Sequence, residues 1–331
     1  MAGVFYPIAT NAKKPDVLTN FELNLLYGRV GALDGVGIGM ANAIDSDANG
    51  FVAGALVNRA GGRASGLHVA GLFNSADSLD QGVMLALLLN HTRAAVHGGQ
   101  AAFGLNFAGP VHGAQAAGFM NISSGAVEGV ELAFAGNVAR EFQGLQASGL
   151  MNVAGDLDGV QLGLVNVADD VEGVPFGLVN VTRSGGVHAL VWGGYTTHAN
   201  VGLKFATRYT YTFLSFAIHR KDDHTQLGPG LGLGFSVPVV DKRLYFEPDL
   251  SAQHLFGDTE CCEKKFFGAI ERRRDQSQFK VRAALRAQVA KHLSFFAGGG
   301  AVGSLRYPLD AENDTDYRFG TYLEAFGGVQ L

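Results

Sequence analysis

The feature that most restricts how this chain can fold is a phrase of 14 to 16 residues that recurs ten times between Gly35 and Asn180. Its cleanest copy is Gly159-Val160-Gln161-Leu162-Gly163-Leu164-Val165-Asn166-Val167-Ala168. Glycine opens the units at Gly35, Gly50, Gly66, Gly82, Gly98, Gly113, Gly129, Gly144, Gly159 and Gly173. Asparagine follows seven or eight residues later, at Asn42, Asn58, Asn74, Asn90, Asn106, Asn121, Asn137, Asn152, Asn166 and Asn180. Self-similarity at a fixed period signals stacked structural units. This period is too short for a helix pair, and glycine among β-branched residues suits strands and tight turns.

The simplest structure is a β-solenoid with one repeat per coil, a strand on each side, and Gly and Asn at corners where left-handed backbone is tolerated. Stacking at roughly 4.8 Å per coil would extend ten coils about 48 Å. The ten asparagines are then expected to form an internal amide ladder, each side chain offering both donors and an acceptor. The residue after each glycine is usually apolar (Phe51, Leu67, Val83, Val130, Leu145, Val160, Val174) and reads as packed. The next is often polar (His68, Gln100, Gln115, Glu131, Gln146, Gln161) and reads as outward. Two further on, the column from Gly39 and Gly54 to Gly163 and Gly177 is small throughout, which permits close backbone approach. A competing arrangement makes each repeat one transmembrane strand of a larger up-and-down barrel. Identical repeats would there meet alternating environments, whereas a solenoid treats every repeat alike.

Residues 1–34 are expected to cap the stack, with one strand where Phe21, Leu23, Leu25 and Tyr27 alternate with Glu22 and Asn24. After Asn180 the repeat decays, and longer alternating strands are predicted at 187–195, 200–207, 209–219, 229–237, 242–254, 278–289, 292–304 and 318–331. In the fifth, Leu244, Phe246, Leu250 and Ala252 oppose Glu247, Asp249, Ser251 and Gln253. In the sixth, Phe279, Val281, Ala283, Leu285 and Val289 oppose Lys280, Arg282, Arg286 and Gln288. A soluble sandwich could carry such faces, but a small outer-membrane barrel requires them: apolar toward lipid, charged within. Lys204, Arg208, Glu247, Asp249, Lys280, Arg282, Arg286 and Glu324 are the expected interior charges, paired because an unpaired buried charge is costly. Pro248 cannot donate to a ladder and predicts a bulge or strand end. Connections near 208, 238–241 and 290–291 read as short, and those at 196–199, 220–228, 255–277 and 305–317 as longer. That alternation places the barrel's two chain ends, and with them the solenoid, on the periplasmic side.

The fold expected is therefore all-β: a cap at 1–34, a β-solenoid of about ten coils at 35–185, and an eight-stranded antiparallel outer-membrane-type β-barrel at 186–331. Its 47 glycines fit a turn-rich chain of 331 residues. A net charge of −5 offers no basic field for nucleic acid. No apolar run approaches the ~20 residues of a transmembrane helix. The start, Met1-Ala2-Gly3-Val4-Phe5-Tyr6-Pro7, lacks signal-peptide features, so an exported form would be the mature chain.

The Gly-φ-Gln-x-Gly-φ-φ-Asn repeats end in Gly173-Val174-Pro175-Phe176-Gly177-Leu178-Val179-Asn180-Val181. They resemble those of the bacterial "surface repeat" proteins of Gram-negative outer membranes. The opening Asn20-Phe21-Glu22-Leu23-Asn24-Leu25-Leu26-Tyr27-Gly28 and the strand-rich second half are also similar. The resemblance covers nearly the whole chain and implies location and architecture more than activity.

Chemistry-bearing clusters are few. The residues before each glycine (Asn49, Ser65, Gln81, His97, His112, Glu128, Gln143, Asp158, Glu172) form a polar column. His97, His112 and Glu128 could approach a metal, but a solvated corner where polar residues are simply favoured is the preferred reading, and no metal site is expected. Cys261 and Cys262 are adjacent, which suits neither a disulfide framework nor a metal site. The run Glu271-Arg272-Arg273-Arg274-Asp275 reads as a solvated loop or a contact for lipopolysaccharide phosphate. Gly230-Leu231-Gly232-Leu233-Gly234 is no phosphate loop, since no helix follows. His219, His224 and His254 with Asp222 and Asp223 define no triad by spacing. The expectation is a non-enzymatic outer-membrane protein without cofactor, in contact with outer-membrane lipid and an unidentified protein partner. A transport pore that includes the repeats is the alternative. An ice-binding face is disfavoured because the repeats hold almost no threonine.

Overall fold

The computed structural model describes residues 2–5, 8–9, 16–183, 185–221, 224–240, 243–256, 275–306 and 318–331. The described residues contain strands and turns and no helix. They form two compact units, residues 1–177 and 178–331.

The first unit is a parallel β-solenoid; the chain winds about 11 turns in all. One coil shows the logic. Val96–Ala102 is followed by a bend at Phe103-Gly104, then Leu105–Ala108, then a second bend at Gly109-Pro110. Each strand pairs in register with its equivalents above and below, so Gly98 lies over Gly82 and under Gly113, and Asn106 between Asn90 and Asn121. Every such pairing between repeats is parallel, which rules out the larger up-and-down barrel. The repeated glycine adopts φ of +143° at Gly98, and a Cβ there would collide with the carbonyl oxygen of Gly82. Only glycine meets both demands. The stretch expected to cap the stack supplies a further coil: Leu18–Val30 pairs in parallel with Ala32–Ile44.

Two columns make the apolar core. Val96, Val111, Val127, Phe142 and Leu157, two residues before the glycine, stack with Leu79, which lies three before Gly82 where the register shifts. Ala76, Ala108, Ala154 and Ala168 stack two residues after the asparagine. The polar column expected to face outward instead faces inward. His68, Gln100, Gln115, Glu131, Gln146 and Gln161 are buried, while the residue after the glycine is exposed at Phe51, Leu67 and Val83 and half-buried at Val130, Leu145 and Val160. A one-residue change of facing turns a whole strand over. Here the side chains that can hydrogen-bond to their own copies in adjacent coils took the interior.

The second unit contains a closed barrel of eight antiparallel strands. They are β1 (Gly186–Gly194), β2 (Ala199–Ala206), β3 (Thr210–Lys221), β4 (His224–Phe235 continuing as Val237–Val240), β5 (Leu244–Leu255), β6 (Gln276–Ala290), β7 (Leu293–Arg306) and β8 (Arg318–Gln330). Pairing of Leu190 with Gln330 and of Gly194 with Phe326 joins β1 to β8 and leaves no edge. Two predicted connections, 220–228 and 238–241, are largely strand, because β3, β4 and their hairpin run further than the alternation suggested. Pro248 lies inside β5 instead of ending it. Gly234 pairs with Asp249 and Val237 with Phe246, so the β4 ladder is interrupted opposite Pro248, where no N–H is available. On the other side of β4, Ser236 N donates to Tyr209 O (2.8 Å), in line with the β3–β4 pairing.

Candidate functional site

Inside the solenoid the asparagines stand in file. From Asn24 through Asn42, Asn58, Asn74, Asn90, Asn106, Asn121, Asn137 and Asn152 to Asn166, each Nδ2 donates to the next Oδ1 at 2.7–3.0 Å. The second amide proton is used as well: Asn90 Nδ2 reaches Ala101 O (2.8 Å) and Asn106 Nδ2 reaches Ala116 O (2.8 Å). The ladder also accounts for the small column beside it. A Cβ at Gly163 would press on Asn152 Nδ2 at 2.7 Å, so close approach makes room for amides. Asn24 is a member the repeat did not reveal. Gly28, not Asn24, lies beside Asn42 in the backbone register, and the Asn24 side chain fills the space over that glycine. Asn180 Nδ2 donates to Thr212 Oγ1 at 3.4 Å.

A second polar spine runs parallel to the first. Gln161 Nε2 donates to Gln146 Oε1 (2.8 Å) and Gln146 Nε2 to Glu131 Oε2 (2.8 Å). Ser123 Oγ then lies between Glu131 Oε1 (3.0 Å) and Gln115 Oε1 (2.9 Å). Gln115 Nε2 donates to Gln100 Oε1 (2.7 Å), and Gln100 Nε2 to Thr92 Oγ1 (2.7 Å). One hydroxyl proton cannot serve two acceptors. With the amides in this orientation, a protonated Glu131 would supply the missing one, and the line would then carry one proton per contact. Burial pushes the Glu131 carboxyl from 4.5 up to about 7, against the lowering effect of the bonds from Gln146 and Ser123. Glu22, in the coil expected as a cap, is raised to about 6, chiefly by burial.

The outer faces of the solenoid divide by charge. Ion pairs gather on the turns between each asparagine and the next glycine, as in Arg29–Asp45 (3.1 Å), Arg63–Asp47 (3.4 Å) and Arg93–Asp77 (3.5 Å). The column before the glycine lies near them. His97 and His112 stack with ring centroids 5.0 Å apart, and His112 Nε2 is 3.7 Å from Glu128 Oε2. Among the described residues no group of three His, Cys, Asp or Glu is placed to hold a metal. The opposite face is bare of charge. From Gly66 to Leu164, the outward positions between each glycine and its asparagine are apolar or glycine, apart from Ser148. They enclose an open trough of about 1060 Å³ that runs from Val69 to Gly163. Leu87 and Phe103 line it beyond the row of Ala101 and Ala116, in which Leu132 also stands, and Phe103 is 77% exposed.

The barrel interior is ionic. Lys204 Nζ donates to both Glu247 oxygens (2.8 and 2.7 Å), Arg286 Nε to Glu247 Oε1 (2.8 Å), and Arg282 Nε to Asp249 Oδ1 (3.0 Å). Lys280 Nζ meets Glu324 Oε1 at 3.4 Å and Thr196 Oγ1 at 3.1 Å. Seven of the eight expected charges are therefore interior and paired. Arg208 is not: it is exposed on the β2–β3 turn, its guanidinium 5.2 Å from the Tyr209 ring centre. Thr210 N donates to Thr207 Oγ1 (3.1 Å) and Thr207 N to Thr210 O (2.8 Å), so the strand alternation stops before residue 208. Sequence alternation also missed the aromatic half of the plug. Trp192, Tyr211, Phe213 and Phe326 are buried among the ions, with Arg282 4.7 Å from the Phe326 ring centre and Lys204 4.0 Å from that of Tyr211. About 30 Å³ of space remains between them, enough for roughly one water molecule.

Other predicted clusters fall apart or lie elsewhere. His219 sits against His198, with ring centroids 4.9 Å apart. His254 shares a 2.9 Å contact with Ser277 Oγ, and its other ring nitrogen is 3.8 Å from Asp275, too long for a hydrogen bond in a relay. Cys261, Cys262, Asp222, Asp223 and residues 271–274 lie outside the described residues, as does the His224 side chain. Comparison with protein-family models, curated proteins and solved structures finds no match.

Proposed function

We propose that this chain is a non-enzymatic outer-membrane protein of the Gram-negative type, in which the barrel anchors the solenoid as a docking scaffold. The carrying observation is that the barrel is inside-out relative to a soluble one. Phe279, Val281, Leu285 and Val289 are half or more exposed, while Lys280, Arg282 and Arg286 on the same strand are buried. Water would favour the reverse, and lipid favours this arrangement. Strands of 12 to 15 residues from β3 to β8, apart from the segmented β4, exceed the ~9–11 needed to cross a bilayer. The resemblance of the repeats to surface-repeat proteins supports the same compartment. The β2–β3 and β6–β7 connections are short, and in outer-membrane barrels short turns face the periplasm. They share an end with the start of β1, so the solenoid would be periplasmic.

A pore is disfavoured by the filled lumen. Extraction and gel mobility test the anchor: the protein should leave membranes only with detergent, and should migrate faster unheated than boiled. Release by salt alone, or identical mobility, would sink the reading. Planar bilayers should show no single-channel conductance, and protease added to whole cells should spare the solenoid.

A further inference from the structure

The trough on the charge-free face of the solenoid is a feature that the scaffold reading leaves unused. Six coil spacings of ~4.8 Å make it about 29 Å long, longer than the ~15 Å that one leaflet gives a lipid chain. Its volume of about 1060 Å³ lies at the upper end of small-molecule sites. Of the side chains lining it, only Ser148 is polar.

That lining discriminates among occupants. Protein interfaces carry a polar rim and about one hydrogen bond per 100–200 Å², and this strip offers neither. The coil strands here are paired above and below, so their N–H and C=O groups point along the stack. An extended peptide would bury its own backbone groups without partners. A helix would satisfy its backbone but find no charge at the rim for its polar flanks, because the ion pairs stand on the other side of the coils. A hydrocarbon chain asks for nothing but apolar area, and the barrel reading supplies a lipid source.

We infer that the trough between Val69 and Gly163 binds the acyl chain of a membrane lipid, laid along the solenoid axis. This rests on the outer-membrane reading only for the source of the lipid. The outward-facing Ala101 and Ala116 form the middle of the site, and enlarging them fills it while leaving it apolar.

The test uses the full chain in nanodiscs of phosphatidylethanolamine and phosphatidylglycerol, with palmitic acid bearing a diazirine as photoprobe. Cross-links should concentrate on Leu87, Phe103 and Leu132 and be competed away by unlabelled palmitate. In Ala101→Phe/Ala116→Phe they should fall roughly tenfold. Leu132→Ser, a smaller change, should weaken labelling and controls for misfolding of the double variant. Labelling that does not saturate, or is spread over barrel strands and unchanged in the variants, overturns the inference. So does a dimer by mass photometry whose trough resists the probe, which would make a second copy the occupant. Failure to enter nanodiscs would instead count against the barrel reading.

Discussion

Both units bury polar side chains in their centres, yet they use opposite chemistries. The solenoid stacks neutral amides, and the barrel interlocks ions with aromatic rings. Topology explains the difference. Parallel in-register coils place each residue against its own equivalent, as Asn90 against Asn106, so an interior column must be self-complementary. An amide is both donor and acceptor and can repeat indefinitely, whereas a column of like charges would repel itself. Antiparallel closure instead brings unlike residues together, as Asp249 opposite Arg282, so charges can be neutralised in pairs. Glu131 is the informative exception: a carboxyl among amides fits when it carries a proton.

Removing one ion from the barrel should have the largest effect. Glu247→Ala leaves Lys204 and Arg286 buried without their shared carboxylate, and should cost about 3–5 kcal/mol, seen as loss of heat-modifiable mobility at lower temperature. If the variant is as stable as the parent, the buried ions are not what holds the lumen. Next comes Glu131. Its carboxyl is raised in the folded state, so its stabilising contribution is complete below pH 4.5 and is lost as pH rises to about 7. The loss is about 3 kcal/mol at 1.36 kcal/mol per pH unit. Hydrogen exchange of the coils around Gln115 and Gln146 should accelerate correspondingly, beyond its intrinsic pH dependence. Glu131→Gln should abolish that dependence, since the substituted amide can donate to Ser123 at every pH; a persistent dependence would exclude Glu131 as its source.

Breaking the amide file should be milder. Asn106→Ala orphans the Asn90 donor and the Asn121 acceptor, for about 1–3 kcal/mol, with faster exchange spreading over adjacent coils. Silence at that site would mean that the ladder aligns the coils without holding them. Smallest should be Arg29→Ala. Its pair with Asp45 is solvent-exposed, and such pairs contribute about 0–1 kcal/mol; a larger loss would show that the charged turns also hold the stack.

Much of this architecture is legible in the chain, and the places where it is not share a cause. The asparagine file follows from period alone, because equal spacing forces equal position. The charged face of β6 follows from strict alternation. Arg208 escapes that logic because alternation carries no information beyond the last paired residue. Gln100 and its equivalents face the other way because polarity is a poor guide to facing when an interior can satisfy its own amides. Asn24 stays hidden because its side chain, and not its backbone register, continues the file.

Periodicity and alternation were enough to set the winding of the first half, the closure of the second, and which residue types recur in each column. Packing in three dimensions chose which columns face in, where Trp192 and Phe326 meet Arg282, and that a trough without charge opens along the coils. Those outcomes depend on facing and on contacts between residues far apart in the chain, and a local pattern with a period of two fits either facing equally well.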